Sequence, residues 1–108
     1  MKRRSAGSGD RIHQGALADL SMAFASLEDP AQVAAFLQDL CTPAELEAIT
    51  DRWRVVPLLL EGVPYREIHD RTLVSVTTIG RVARTLDHGS GGYAAAIDRT
   101  TNRSNRPD

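Results

Sequence analysis

The sequence predicts an all-α protein of about six helices, and three observations carry that reading. Apolar residues recur at three- and four-residue spacings, as in Leu17, Leu20, Phe24 and Leu27, and again in Leu46, Ile49, Trp53, Val56 and Leu60. The punctuation of a helix start occurs twice, as Asp29-Pro30-Ala31-Gln32 and as Thr42-Pro43-Ala44-Glu45. No alternating apolar and polar run extends beyond a few residues, so no stretch reads as a strand.

Taken in order, residues 1–10 are basic and then rich in Gly and Ser, and are expected to form a flexible arm. Its Lys2, Arg3 and Arg4 suit either contact with phosphates or plain solvation. A first amphipathic helix is expected from about Arg11 to Leu27. Asp29 can cap a short second helix, with Pro30 at its first position and Gln32 placed to complete the capping box. Thr42, Pro43 and Glu45 repeat the arrangement for a long third helix that Gly62 ends. Its apolar seam resembles a coiled coil and suits a partner subunit. Pro57 lies inside it, and a kink near Trp53 is expected rather than a break, because the apolar register continues across it.

After the Gly62-Val63-Pro64 connector, Tyr65 to Arg71 forms a fourth helix and Thr72-Leu73-Val74 a turn. Ser75 caps a fifth helix that runs to about Leu86. A Gly-rich loop follows, then a short helix from Tyr93 to Arg99, and a disordered polar tail over 100–108. The expected organisation is therefore an arm (1–10), one helical domain (11–99) and a tail (100–108).

Composition narrows the function. The chain has 108 residues, 42% hydrophobic and 25% charged, as in an ordinary globular domain. A net charge of -1 argues against a protein that coats DNA through bulk charge, but not against a locally basic reading face. The single Cys41 has no partner for an internal disulfide and fits a cytoplasmic setting. It sits with Leu46 where a hydrophobic staple belongs, so packing explains it better than chemistry. No run approaches the roughly 20 apolar residues of a membrane span. His13, His69 and His88 lack metal-ligand spacing, and no P-loop, dinucleotide fingerprint or Cys/His cluster occurs. No catalytic residue, metal or cofactor is expected.

Tyr65 to Leu86 carries the chemistry. In a helix-turn-helix the first helix crosses the DNA backbone and the second offers its N-terminal half to the major groove. Ile68, Val74, Ile79 and Val82 are placed to lock the two helices together. Ser75, Thr77, Thr78, Arg81 and Arg84 supply the short hydroxyls and long cations that meet phosphates and base edges. Gly80 interrupts a good helix and implies a close backbone approach. Ser75–Leu86 holds two arginines and no acid. Hydroxyls that merely face water are the alternative, yet Ser and Thr do little for a helix interior, so double-stranded DNA is the expected partner.

From about Phe36 to Arg99 the chain resembles the Trp repressor superfamily, in its YerC/YecD-type branch. The matching pieces are Cys41-Thr-Pro-Ala-Glu45, Asp51-Arg-Trp-Arg54, Leu59-Leu-Glu-Gly62, Tyr65-Arg-Glu-Ile68, Thr77-Thr-Ile-Gly-Arg81 and Gly89-Ser-Gly-Gly-Tyr93. The resemblance implies an intertwined all-helical homodimer with two projecting helix-turn-helix heads, acting in transcription regulation. It implies DNA contact at Arg66, His69, Val76, Thr77 and Gly80. It also implies a corepressor pocket at Thr42, Arg52, Thr78, Arg81, Val82 and Thr85. There Val82 replaces a glycine and should fill the space of an indole, so tryptophan dependence is not expected. Leu73 replaces the usual turn glycine, a position that strains any other residue at positive φ. Two other readings remain open at this stage. One is a protein-interaction module of the same fold, and the other a regulator gated by another small ligand.

Overall fold

The structure, a computed structural model, describes residues 6–105, with side chains over 11–102. Six helices follow one another: α1 (Ala6–Ala25), α2 (Pro30–Leu40), α3 (Pro43–Leu60), α4 (Tyr65–Thr72), α5 (Val76–His88) and α6 (Gly92–Asn105). No strand occurs among the described residues. The all-α expectation is met, and the chain divides into two compact units, Met1–Pro43 and Ala44–Asp108.

In the first unit, α1 begins at Ala6, five residues inside the stretch expected to be a flexible arm. Once nucleated, a helix extends by one hydrogen bond per residue fixed, and Gly7 and Gly9 are carried along. Lys2, Arg3 and Arg4 lie outside the described residues. The α2 start is as expected: Pro30 opens the helix and the Asp29 carboxylate accepts from the Ala31 N–H at 2.9 Å. Phe24 and Phe36 bring α1 and α2 together, ring centroids 4.9 Å apart and planes tilted by 57°. No described residue of α1 or α2 is buried.

The second unit holds the core. Val55, Val56, Ile68, Val74, Ile79 and Val82 are all 3% exposed or less, and Leu58, Leu59, Val63, Leu86, Tyr93 and Ile97 pack around them. Each buried Ile or Val contributes roughly 1.5–3 kcal/mol of transfer free energy. The four residues expected to lock α4 against α5 are all in this set.

The long helix is continuous, as its apolar register predicts. α3 runs unbroken through Pro57, which is itself exposed. Of the five seam residues only Val56 is buried; Ile49 and Trp53 are each 41% exposed and Leu60 is 59% exposed. The chain instead buries the neighbouring face, with Val55, Val56, Leu58 and Leu59. Gly62, at φ 79°, closes the helix as expected: the Val63 N–H reaches Leu58 O at 3.0 Å and the Gly62 N–H reaches Leu59 O at 3.1 Å. That pair of bonds is a Schellman motif.

The C-terminal boundaries also shift. α5 continues two residues past Leu86, and the Gly89 N–H closes on Thr85 O at 2.8 Å. α6 continues to Asn105, through residues expected to be disordered. Its polar side chains find local partners: Thr100 Oγ1 donates to Ala96 O at 2.8 Å, and Asn102 Nδ2 to Asp98 Oδ1 at 3.2 Å.

Candidate nucleic-acid interface

The candidate site is the α4–α5 pair. α4 closes without glycine: Leu73, at φ 65° and ψ 8°, is left-handed, and its N–H reaches His69 O at 2.7 Å. The positive φ expected at this position is therefore present. Leu73 is 82% exposed, so its side chain adds no packing to offset the backbone strain. Two side chains of α4 hold the next residue. Thr72 Oγ1 accepts from the Val74 N–H at 3.1 Å and donates to Ile68 O at 2.7 Å. His69 Nδ1 lies 2.7 Å from Val74 O.

Ser75 then caps α5. Its Oγ accepts from the Thr78 N–H at 3.1 Å and donates to Thr78 Oγ1 at 2.9 Å. Within α5, Ile79 and Val82 point into the core, and the helical period carries Thr77, Arg81 and Arg84 to the opposite side. All three are exposed, as are Arg66, Ser75 and Val76. Of the expected DNA-facing set these six are therefore accessible, His69 is half-buried and Gly80 is buried.

Gly80 has a close neighbour from its own chain. A Cβ there would stand 3.4 Å from Arg84 Nη1 and 3.9 Å from Tyr65 Cε2, both ordinary contacts. These distances leave room for a Cβ, so neither neighbour requires glycine at this position. Arg66, Arg81 and Arg84 make no ion pair among the described residues, whereas Arg71 pairs with Glu67 on α4 and Arg54 with Asp51 on α3. The result is a surface of hydroxyls and unpaired guanidinium groups, suited to phosphate oxygens and base edges.

The residues expected around a small ligand come from both units. Thr42 belongs to the first unit and the other five to the second. Val82 is a core residue, 1% exposed, in the same cluster as Val55 and Val56. Thr78 receives the Ser75 hydroxyl, and Thr85 Oγ1 donates to Arg81 O at 2.9 Å. Arg52 is half-buried, while Arg81 and Thr85 are exposed. A cleft of about 840 Å³ lies elsewhere in the unit, between Leu59, Tyr65, Leu86 and Ile97, and none of these six residues lines it. Among the described residues no cluster could hold a metal ion. Among the described residues no helix is long and apolar enough to cross a membrane.

Sequence reading missed three features of this unit. The turn is braced by His69 and Thr72, Tyr65 covers Gly80, and Trp53 stacks on Tyr93 with planes 3° apart and centroids separated by 6.4 Å. Only the first had a legible signal, a Thr immediately before a left-handed position. The other two join residues far apart in the chain.

Two comparisons bear on this geometry. The family described as Trp repressor protein matches residues 16–101. YerC of Bacillus subtilis (strain 168), itself an uncharacterized protein, is 36% identical over 90 residues, covering 83% of this chain and 86% of YerC.

Proposed function

The chain belongs to the Trp repressor family, and from that premise we propose that it is a sequence-specific, DNA-binding transcriptional regulator working in the cytoplasm as a homodimer, and not an enzyme. The observation that carries this reading is the α4–α5 pair. Four buried residues lock it, and its exposed side presents Ser75, Thr77, Arg81 and Arg84, with no acid paired to the arginines among the described residues. Pairing of two copies is supported by the α3 seam, where Ile49, Trp53 and Leu60 lie open. It is supported further by α1, where Ile12, Leu17 and Met22 are each more than half exposed.

Two such heads read half-sites about one helical turn apart on a near-palindromic site. Selection from random duplex DNA, followed by gel shift, tests this. Recovery of such a site is expected, and failure to enrich any sequence at low salt rejects the proposal. Arg81→Ala is expected to weaken binding by ~1–3 kcal/mol. Affinity should fall steeply as salt rises, whereas indifference to salt would favour a protein partner instead. Regulation by tryptophan is not part of the reading, because Val82 occupies the core at the position where the family resemblance puts a glycine beside the ligand. Calorimetry with tryptophan should show no binding heat.

A further inference from the structure

We infer that His69 and Thr72 are positioning residues, which set the start of α5 by holding both backbone polar atoms of Val74. The inference deepens the DNA-binding reading and rests on it for its affinity readout alone. Family resemblance places His69 at a position that meets DNA, and the structure commits one of its two ring nitrogens to the turn.

A carbonyl oxygen can only accept, so the 2.7 Å contact of Nδ1 with Val74 O requires the hydrogen on Nδ1. Neutral His69 then carries a lone pair at Nε2 and has no second donor for a phosphate oxygen. Thr72 acts from the other side: its Oγ1 accepts the Val74 N–H and donates back to Ile68 O, in the last turns of α4. Val74 is 3% exposed, so its amide groups would otherwise be short of partners. The brace stands where it is needed, directly after Leu73 at φ 65°, where a non-glycine residue strains the turn. Val74 also precedes the Ser75 cap, so fixing its peptide fixes the direction in which Ser75, Val76 and Thr77 leave the turn.

Two near-isosteres separate positioning from contact. Asparagine places its amide nitrogen on the γ carbon, as histidine places Nδ1. Glutamine places its own one bond further out, at the reach of Nε2. The test uses the full chain, with His69→Asn, His69→Gln and Thr72→Val checked for folding by circular dichroism. Heteronuclear NMR of wild-type His69 should show the Nδ1–H tautomer, and Thr72→Val should speed hydrogen exchange at the Val74 amide. Against a selected DNA site, His69→Asn should keep wild-type affinity. His69→Gln should lose about fivefold to tenfold, the scale of one hydrogen bond, with no change in salt slope.

The opposite pattern overturns the inference: Gln preserving affinity while Asn loses it, with the salt slope reduced by about one phosphate contact. An Nε2–H tautomer, or unchanged exchange at Val74 in Thr72→Val, overturns it as well. A wild-type chain that selects no DNA defeats the DNA reading alone, because tautomer and exchange still decide the brace.

Discussion

At the scale of single residues, the N-cap of α5 is one hydroxyl. Ser75 Oγ satisfies the Thr78 N–H at 3.1 Å, and no other side chain caps this end. Ser75→Ala should therefore cost about 1 kcal/mol in urea unfolding, with Ser75→Gly costing only a few tenths. Gly80 should behave in the opposite sense. The nearest atom to an added Cβ is the far end of a flexible arginine, at 3.4 Å. Gly80→Ala should then stabilise the fold by up to ~1 kcal/mol through helix propensity. A loss of stability in thermal unfolding would mean that the helix surface is closed more tightly there than these distances describe.

At the scale of elements, α3 contains the largest local conflict. Pro57 lacks the N–H that would complete the helical bond and crowds the preceding turn, yet the helix continues to Leu60. It continues because Val55, Val56, Leu58 and Leu59 on either side of it are held in the core of the second unit. Pro57 is exposed and lies outside the core cluster, so Pro57→Ala should raise unfolding free energy by roughly 1–2 kcal/mol. That is the cost of an interior proline less the unfolded-chain entropy it removes. Chemical denaturation with an unchanged m-value is the check. By contrast, α4 and α5 carry little conflict: each expected inward residue is buried, and the strained Leu73 is followed directly by a braced peptide.

At the scale of the whole molecule, six buried side chains among the described residues make a small core. So small a core is marginal without further burial, and the open apolar positions of α3 provide a surface for it, as do those of α1 in the other unit. If two copies share that surface, the melting temperature should rise with protein concentration. Ile49→Asp is the sharper measurement. Ile49 is 41% exposed in one chain, so in a monomer the change should stay within about 0.5 kcal/mol. In a dimer it should shift sedimentation to the monomer and abolish the dependence on concentration.

By itself the sequence determined the all-α class, the caps at Asp29 and Ser75, the Gly62 stop and the four residues that join α4 to α5. These are local or periodic properties: a cap needs only its own first turn, and a buried stripe repeats every three or four residues. The exposed hydroxyl and cations of the candidate interface were legible for the same reason, since Thr77, Arg81 and Arg84 fall opposite Ile79 and Val82 on one helix. Tertiary structure alone decided which face of α3 enters the chain's own core. Val55 and Val56 are adjacent, and the coiled-coil spacing selected one of them and passed over the other. It alone paired Trp53 with Tyr93 and laid Tyr65 and Arg84 against Gly80. It also turned His69 toward the turn, because that bond depends on where Val74 lies once Leu73 has reversed the backbone. Such contacts depend on how elements pack, and spacing along the chain carries no record of that.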